Sequence, residues 1–192
     1  MPDPFSLYAS WFEQAVASAG AFDAKAVSLA TVDAAGRPSV RMVLVQYADA
    51  RGFAFFTNLA SRKATDLAAR PEAAICHHWP WLERQLRVEG RVEPLPADEA
   101  DAYFASRPRE SQVGAWASRQ SAPLERDDAL AVNVARLTAE YDGKSIPRPP
   151  FWSGYRLVPS MFEFWTGKPG RLHERIRYDR AGNDWTTVKL YP

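Results

Sequence analysis

The sequence predicts one mainly β domain, residues 1–192, in which helices flank an antiparallel sheet or barrel. Three observations lead to this fold class. Most apolar segments are short and alternate with polar residues, as strands do. The strands follow one another without long intervening helices, which disfavours a parallel doubly wound sheet. The helical patterns fall together in one excursion, at about residues 97–141.

The first third of the chain predicts a helix and three strands. Residues 5–19 place apolar side chains at helical spacing, and Asp3 or Ser6 is available as the N-cap. The strands are expected at residues 26–32, 39–47 and 52–57. The first two form a hairpin. The second is apolar on both faces yet carries Arg41 and Gln46, two polar residues that need a reason beyond packing.

A short helix with cations in its first turn comes next. Ser61 is the expected N-cap, the helix reaches about Ala69, and Arg62 and Lys63 lie at its positive end. The helix dipole disfavours cations there, whereas a bound phosphate would pair with both side chains and accept hydrogen bonds from free N–H groups. Solvated cations would cost little, so this pattern alone is a modest indication of a phosphate site.

Strands are expected at residues 72–79 and 84–93, and the second of them alternates strictly between apolar and polar residues. His77 and His78 are adjacent in the first strand, so they face opposite sides of the sheet and cannot share a metal ion. We interpret both histidines as structural and expect no metal site.

The helical excursion is followed by the last strands. Its helices are expected at residues 97–106, 111–118 and 123–141. Asp98 and Pro123 are the start signals of the first and third helix. The strands are expected at residues 154–158, 161–165, 172–178 and 185–190. Donors that suit a phosphate are denser between the helices than a helical hairpin requires: Tyr103, Arg107, Arg109, Ser111, Gln112, Ser118, Arg119, Gln120 and Ser121.

Residues 171–175 bring three cationic or protonatable groups together near the end of the chain. If this segment is a strand, as expected, Arg171, His173 and Arg175 project to one face and form an anion-binding surface. An edge strand with a solvated basic face is the alternative, and the spacing does not decide between the two.

Composition excludes several classes of protein. The formal net charge is +1, from 24 basic and 23 acidic residues, so we expect no general binding to nucleic acid. Cys76 is the only cysteine, which excludes an internal disulfide and fits a reducing cytoplasm. We expect no secretory signal and no membrane span, because no apolar run approaches the roughly 18 residues of a spanning helix. Glycine-rich nucleotide motifs are absent.

Seven motifs, collinear along nearly the whole chain, resemble the pyridoxine/pyridoxamine 5'-phosphate oxidase family. They are RMVLVQ (41–46), FFTNLASRK (55–63), RQLRVEG (84–90), YFASRPRESQVGAWASRQS (103–121), PPFWSGY (149–155), EFW (163–165) and RLHER (171–175). The resemblance implies a homodimer of split β-barrels with two FMN sites at the subunit interface, each built from both chains. It also implies oxidation of pyridoxamine or pyridoxine 5'-phosphate to pyridoxal 5'-phosphate. A hydride passes to flavin N5, and O2 then reoxidises the flavin and yields hydrogen peroxide.

The resemblance also assigns residues by their position in these motifs. The cofactor set is Arg41, Met42, Val43, Leu44, Phe56, Thr57, Arg62, Lys63, Gln85, Gln120, Ser121, Trp165 and Arg175. The substrate set is Gln46, Tyr103, Arg107, Ser111, Arg171 and His173. Arg62, Lys63, Gln120 and Ser121 would surround the FMN phosphate, and Arg175 would stabilise the reduced flavin at its N1/O2 edge. Tyr103, Arg107 and Ser111 would take the substrate phosphate. Arg171 and His173 would be the catalytic pair over the pyridine ring.

Two residues depart from the family pattern, and two other functions stay open. Gln46 stands where the family usually has lysine, which predicts weaker substrate binding or a different substrate. Glu174 replaces aspartate and keeps the charge. The first alternative is a related flavin oxidase with another ring substrate, such as the one that acts late in phenazine biosynthesis. The second is a non-catalytic protein that binds flavin or pyridoxal phosphate.

Overall fold

The computed structural model describes residues 3–192, which form a curled antiparallel sheet with helices beside it. The helices are α1 (Pro4–Ser18), α2 (Arg62–Ala69), α3 (Ala97–Ser106), α4 (Arg109–Ala117) and α5 (Ala129–Glu140). The strands are β1 (Ala26–Val32), β2 (Pro38–Leu44), β3 (Tyr47–Asp49), β4 (Gly52–Asn58), β5 (Glu72–Trp79), β6 (Arg84–Pro94), β7 (Trp152–Thr166), β8 (Glu174–Ala181) and β9 (Asp184–Leu190). The sheet order is β2-β1-β5-β6-β7-β4-β3, and β8 and β9 continue from β7. The predicted fold class is confirmed.

The main core lies between one face of the sheet and α1. Strand residues that are at most 2% exposed form its floor: Leu29, Phe53, Ile75, Leu86, Val88, Phe162 and Phe164. Phe5 of α1 packs edge-on against Phe162, with the ring centroids 5.1 Å apart. Asp3 caps α1, as predicted, by accepting hydrogen bonds from the N–H groups of Phe5 and Ser6.

A second, smaller core holds the helical excursion against the sheet. Phe104, Val113, Leu137 and Ile146 pack there around Trp152 at the start of β7. The third predicted helix starts later than expected, at Ala129. Residues 121–128 are all exposed, so no buried apolar contact draws them into a helix, and Arg126 forms an ion pair with Asp128 within the segment.

The predicted strand at residues 39–47 is two strands, because the chain changes partner in the middle. Val45 N–H bonds to the carbonyl of Lys25 before β1 at 3.0 Å, and Gln46 N–H bonds to the carbonyl of Ala54 in β4 at 2.9 Å. The side chain of Val45 turns into the core. Gln46 consequently lies at the corner between two parts of the sheet.

The strands predicted at residues 154–158 and 161–165 are one strand, β7. Pro159 and Ser160, which resemble a break in the sequence, form a β-bulge where the register with β6 shifts. Gly90 lies opposite this bulge, and a Cβ there would come within 2.0 Å of Val158 O, so the close approach requires glycine.

Two predicted helix caps are only partly right. Ser61 does precede α2, but its side chain makes no capping bond. Pro96 precedes α3, whereas Asp98 lies in the first turn, where its charge favours the helix dipole. Within residues 3–192, no helix is both long enough and apolar enough to span a bilayer.

Candidate active site

A cleft of about 430 Å³ opens between the sheet and helices α3 and α4. Eleven of the residues predicted to bind cofactor or substrate line it: Met42, Val43, Leu44, Gln46, Phe56, Thr57, Lys63, Tyr103, Arg107, Ser111 and Gln120. They come from β2, β4, α2, α3, α4 and the loops after β2, α3 and α4, so the topology gathers three of the seven motifs at one place. Asn58, Gly114, Ala115, Ser118 and Trp152 complete the lining.

One part of this cleft is electropositive because of Lys63. The residue is 8% exposed, and its Nζ donates to Thr57 Oγ1 at 3.0 Å, Gln120 Oε1 at 3.1 Å and Ser61 Oγ at 3.3 Å. No carboxylate of residues 3–192 forms an ion pair with it. Burial lowers the pKa of Lys63, and the charge of Arg41 lowers it further. The ammonium group is therefore a buried cation in need of an anion.

Two arginines add to this positive charge, although neither lines the cleft. The side chain of Arg41 extends from β2 toward α2, where its Nη2 lies 3.6 Å from Asp66 Oδ2. Burial lowers the pKa of Arg41, and the charge of Arg62 lowers it further, whereas Asp66 raises it. The backbone N–H of Arg62 lies 3.3 Å from Ser121 Oγ. Three cations thus converge near one carboxylate, which is a suitable environment for a phosphate dianion.

Another part of the cleft is an aromatic wall that carries Arg107. Phe56 stacks on Tyr103 with centroids 4.0 Å apart, and it stacks on Trp152 at 5.4 Å with the planes 8° apart. The Arg107 guanidinium lies 4.8 Å over the Trp152 ring. Its Nη1 is buried without a hydrogen-bond partner in the described chain, and burial lowers its pKa. An anionic group bound in the cleft would supply the missing partner.

A second group of predicted residues forms a row across β6, β7 and β8. Gln85 pairs with Trp165, and Trp165 pairs with Arg175. The Arg175 guanidinium donates to both carboxylate oxygens of Glu163, each at 3.0 Å, and to Tyr191 O at 3.0 Å. These bonds fix the guanidinium plane and leave its remaining N–H groups available for a ligand.

Residues 171–175 do not form one strand, so the predicted common face of three basic groups is wrong. β8 includes only the last two of these residues, and Arg171 ends a 3₁₀ turn with a left-handed φ of 61°. Arg171 is exposed. His173 instead packs on Trp165, with ring centroids 4.6 Å apart, and its Nδ1 accepts a hydrogen bond from the N–H of Lys168 at 3.2 Å. The neutral imidazole therefore carries its proton on Nε2.

The two groups of residues lie near opposite ends of β7. Phe56 pairs with Gly154 near the start of this strand, whereas Trp165 is its second-last residue. At roughly 3.3 Å per residue, the strand covers about 35 Å between Gly154 and Trp165. Within residues 3–192, no hydrogen bond, ion pair or aromatic contact joins the residues of the cleft to the row of Gln85, Trp165 and Arg175.

Three residues that shape the site were not given a role from the sequence. Asn58 fixes the turn before α2 by accepting from Ala60 N–H at 2.8 Å and donating to Ser118 O at 3.3 Å. Glu163 is 5% exposed and holds Arg175, and Trp152 is 6% exposed beneath Arg107. All three lie in the motifs given above, and their polar or aromatic side chains near predicted ligands in the sequence could have indicated a supporting role.

Comparison with known proteins decides the family. Residues 15–141 match the family described as Pyridoxamine 5'-phosphate oxidase, and residues 152–192 match the Pyridoxine 5'-phosphate oxidase C-terminal dimerisation region. The chain belongs to the pyridoxamine 5'-phosphate oxidase family. It is therefore an oxidoreductase of a flavoprotein family, and its C-terminal region indicates a homodimer.

Individual relatives cover the whole chain. The pyridoxine/pyridoxamine 5'-phosphate oxidase of Anaeromyxobacter dehalogenans is 59% identical, over 100% of this chain and 96% of the relative. That of Maricaulis maris is 53% identical, over 99% and 86%. Among solved structures, PhzG from Burkholderia lata 383 in complex with tetrahydrophenazine-1-carboxylic acid has a TM-score of 0.93 and 36% identity, over 99% and 93%. An FMN-binding protein from Nostoc punctiforme, 18% identical, shares the fold with a TM-score of 0.77 over 100% of both chains.

Proposed function

We propose that the protein oxidises pyridoxamine 5'-phosphate or pyridoxine 5'-phosphate to pyridoxal 5'-phosphate, with FMN as cofactor and O2 as the electron acceptor that becomes hydrogen peroxide. The observation that carries this proposal is that the cleft holds two cations, the buried Lys63 and the half-buried Arg107, and neither has a carboxylate partner in the described chain. Two phosphates, one on the cofactor and one on the substrate, would compensate them.

Lys63 marks the cofactor phosphate. Its Nζ already touches Gln120 Oε1, and Ser121 lies at the N–H of Arg62, so all four residues of the predicted set surround one position at the start of α2. Arg41 adds positive charge beside this position, and its hydrogen bonds to Thr31 and Ser39 stabilise the pairing of β2 with β1. One such phosphate position suits a cofactor that carries a single phosphate, as FMN does.

Arg107 marks the substrate phosphate. Tyr103 and Ser111 line the same cleft on α3 and α4, and the aromatic wall of Phe56 and Tyr103 gives a flat surface beside it. A pyridine ring fits such a surface by stacking. Gln46 completes this part of the lining with an uncharged hydrogen-bonding group.

The second group of residues completes the cleft of the other protomer in the dimer. One face of the sheet carries a row of paired residues that runs from β2 to β7: Met42, Ser28, Cys76, Arg87 and Glu163. Gln85 and Trp165 lie on the same face, two residues from Arg87 in β6 and two residues from Glu163 in β7, respectively. Val40 and Met42 are 69% and 62% exposed there, so the β2 end of this face is an apolar surface that nothing in the described chain covers. A two-fold dimer that packs this face on its copy would bring the row of Gln85, Trp165 and Arg175 to the partner's cleft.

The chemistry divides between the cofactor and the chain. Bound FMN would supply a hydride acceptor that O2 can reoxidise. Arg175, held by Glu163, would place positive charge where the reduced ring becomes anionic. His173 would donate a hydrogen bond through Nε2–H and so orient the substrate instead of removing a proton from it. Arg171, exposed on its turn, would contact the substrate from the solvent side.

The test begins with the purified protein and its flavin absorbance. Pyridoxamine 5'-phosphate is then added in air, and aldehyde and peroxide are measured. We expect bound FMN and equal amounts of both products. Bound FMN with neither product would contradict the oxidase proposal and support a binding protein.

A second candidate function is a flavin oxidase for a tricyclic acid. The similarity to PhzG in its complex with tetrahydrophenazine-1-carboxylic acid, together with Gln46 in place of a cation, favours it. The same assay with that acid as substrate separates the two functions. Turnover of the acid without turnover of the B6 phosphates would select this second candidate.

A further inference from the structure

Trp152 is a buried aromatic residue that supports the cation of the cleft. It begins β7, is 6% exposed, and lies between the helical core and the cleft. The Arg107 Cζ atom is 4.8 Å from the centroid of its ring, closer than the 5.7 Å to Phe104. The parallel stack with Phe56 fixes the orientation of the indole plane.

The environment of Arg107 lacks the usual compensation for a half-buried guanidinium whose Nη1 is fully buried. In the part of the chain that the structure describes, the side chain forms no ion pair and no hydrogen bond. Aromatic faces attract a guanidinium through their electron density and carry no net charge. A carboxylate in this place would also hold Arg107, but it would repel a phosphate dianion that approaches the same guanidinium.

We propose that Trp152 is a positioning residue for the substrate phosphate. Its indole face holds the Arg107 guanidinium and leaves the N–H edges of that group directed at the ligand. The affinity of the cleft for a phosphorylated ligand therefore depends on the electron density of this one ring. The inference rests on the proposed function, because it assigns the substrate phosphate to Arg107.

The chain contains a matched control for this contact. The Cζ atom of Arg84 lies 4.6 Å from the centroid of the Trp11 ring, nearly the same distance as between Arg107 and Trp152. Neither residue lines the cleft. Lowering the electron density of the Trp11 ring should leave ligand binding unchanged, whereas the same change at Trp152 should weaken it.

The experiment replaces Trp152, in the FMN-loaded dimer, by tryptophans with one to four fluorine atoms, introduced at that site alone. Fluorine withdraws electron density from the ring face and barely alters the shape. We expect the dissociation constant of pyridoxal 5'-phosphate to rise in steps along the series, by about 30-fold in total if the contact is worth about 2 kcal/mol. The constant for pyridoxal, which has no phosphate, should stay within about twofold. The series at Trp11 should change neither constant.

Conventional variants give a second readout. Phenylalanine offers a weaker face than indole and leucine offers none, so KM for the phosphorylated substrate should rise more for Trp152→Leu than for Trp152→Phe, with kcat preserved in Trp152→Phe. A dissociation constant that is insensitive to fluorination at Trp152 would overturn the inference while leaving the proposed function intact. If the unmodified protein binds no phosphorylated pyridine at all, the proposed function fails, and this inference fails with it.

Discussion

Replacing Lys63 by methionine should weaken FMN binding and leave the apo-protein at least as stable. Methionine keeps most of the length of the side chain and removes the charge. The Nζ of Lys63 now has three uncharged partners at 3.0 to 3.3 Å and no carboxylate among residues 3–192. Burial, with a further contribution from Arg41, lowers the pKa of Lys63, so carrying the charge on this ammonium group costs the folded apo-protein stability relative to the unfolded chain.

The two effects have opposite signs and can be estimated separately. A hydrogen bond between charged groups contributes about 1.5 to 3 kcal/mol net, so losing the ammonium–phosphate contact should weaken FMN about 15- to 150-fold. In the apo-protein, the lost hydrogen bonds offset the relieved desolvation of a buried ammonium, which is of the order of several kcal/mol. We therefore expect the free energy of unfolding to rise or to stay within about 1 kcal/mol of the original value.

The assay titrates apo-protein with FMN and with riboflavin and follows flavin fluorescence. Riboflavin lacks the phosphate, so its affinity should be the same for both proteins. Lys144→Met, at an exposed lysine whose Nζ bonds Glu140 O, is the control for loss of a lysine elsewhere. An unchanged dissociation constant for FMN would refute the phosphate role of Lys63. A large loss of apo-protein stability would show that the charge serves the fold instead.

Three further predictions concern substrate affinity, acid stability and the support of α3. Gln46→Lys should lower KM for pyridoxamine 5'-phosphate by about tenfold, because a charge-assisted bond is about twice as strong as a neutral one, and steady-state kinetics with pyridoxamine as the control checks it. Burial lowers the pKa of His77 to about 3, so the unfolded chain binds a proton below pH 6.5 that the folded chain rejects. Stability should thus fall by about 1.4 kcal/mol per pH unit between pH 6.5 and pH 3, and denaturant unfolding should show a flatter acid profile for His77→Leu. Arg156 is 6% exposed and lies 2.7 Å from Glu99 on α3, so Arg156→Met should lower the free energy of unfolding by about 3 kcal/mol. The exposed Arg51 lies 2.8 Å from the same carboxylate, and Arg51→Met should lower it by less than about 1 kcal/mol. Denaturant unfolding measures both values.

Local patterns predicted the elements whose bounds depend on nearby residues. The strands at residues 26–32 and 72–79 and the helix at residues 97–106 have the bounds that alternation and turn residues indicated. The two strands pair along their whole length with one neighbour, β1 with β2 and β5 with β6, and they change partner nowhere, so the alternation of each strand follows one environment. Within the described residues, His77 and His78 do face opposite sides, and only His77 is fully buried.

The sequence did not reveal features that depend on distant contacts. The strand predicted at residues 39–47 divides because Val45 and Gln46 bond to different strands, and nothing local marks that change. Arg171 leaves the expected strand because a Pro169-Gly170 turn places it at positive φ, a conformation that alternation cannot anticipate. The separation of the predicted ligands into two groups also depends on the sheet, since only strand pairing shows that Phe56 and Trp165 lie far apart.

A site shared between two protomers can be tested by mixing two defective chains. Arg107→Glu damages the cleft, and Arg175→Met damages the row that completes the partner's cleft, so each homodimer should be nearly inactive with pyridoxamine 5'-phosphate. In a mixed dimer one site receives both changes and the other receives neither. Equal co-expression should therefore restore about a quarter of the original activity, because about half of the dimers are mixed and each has one intact site of two. No recovery in the purified mixed dimer would mean that both groups act within one chain and would contradict the shared site.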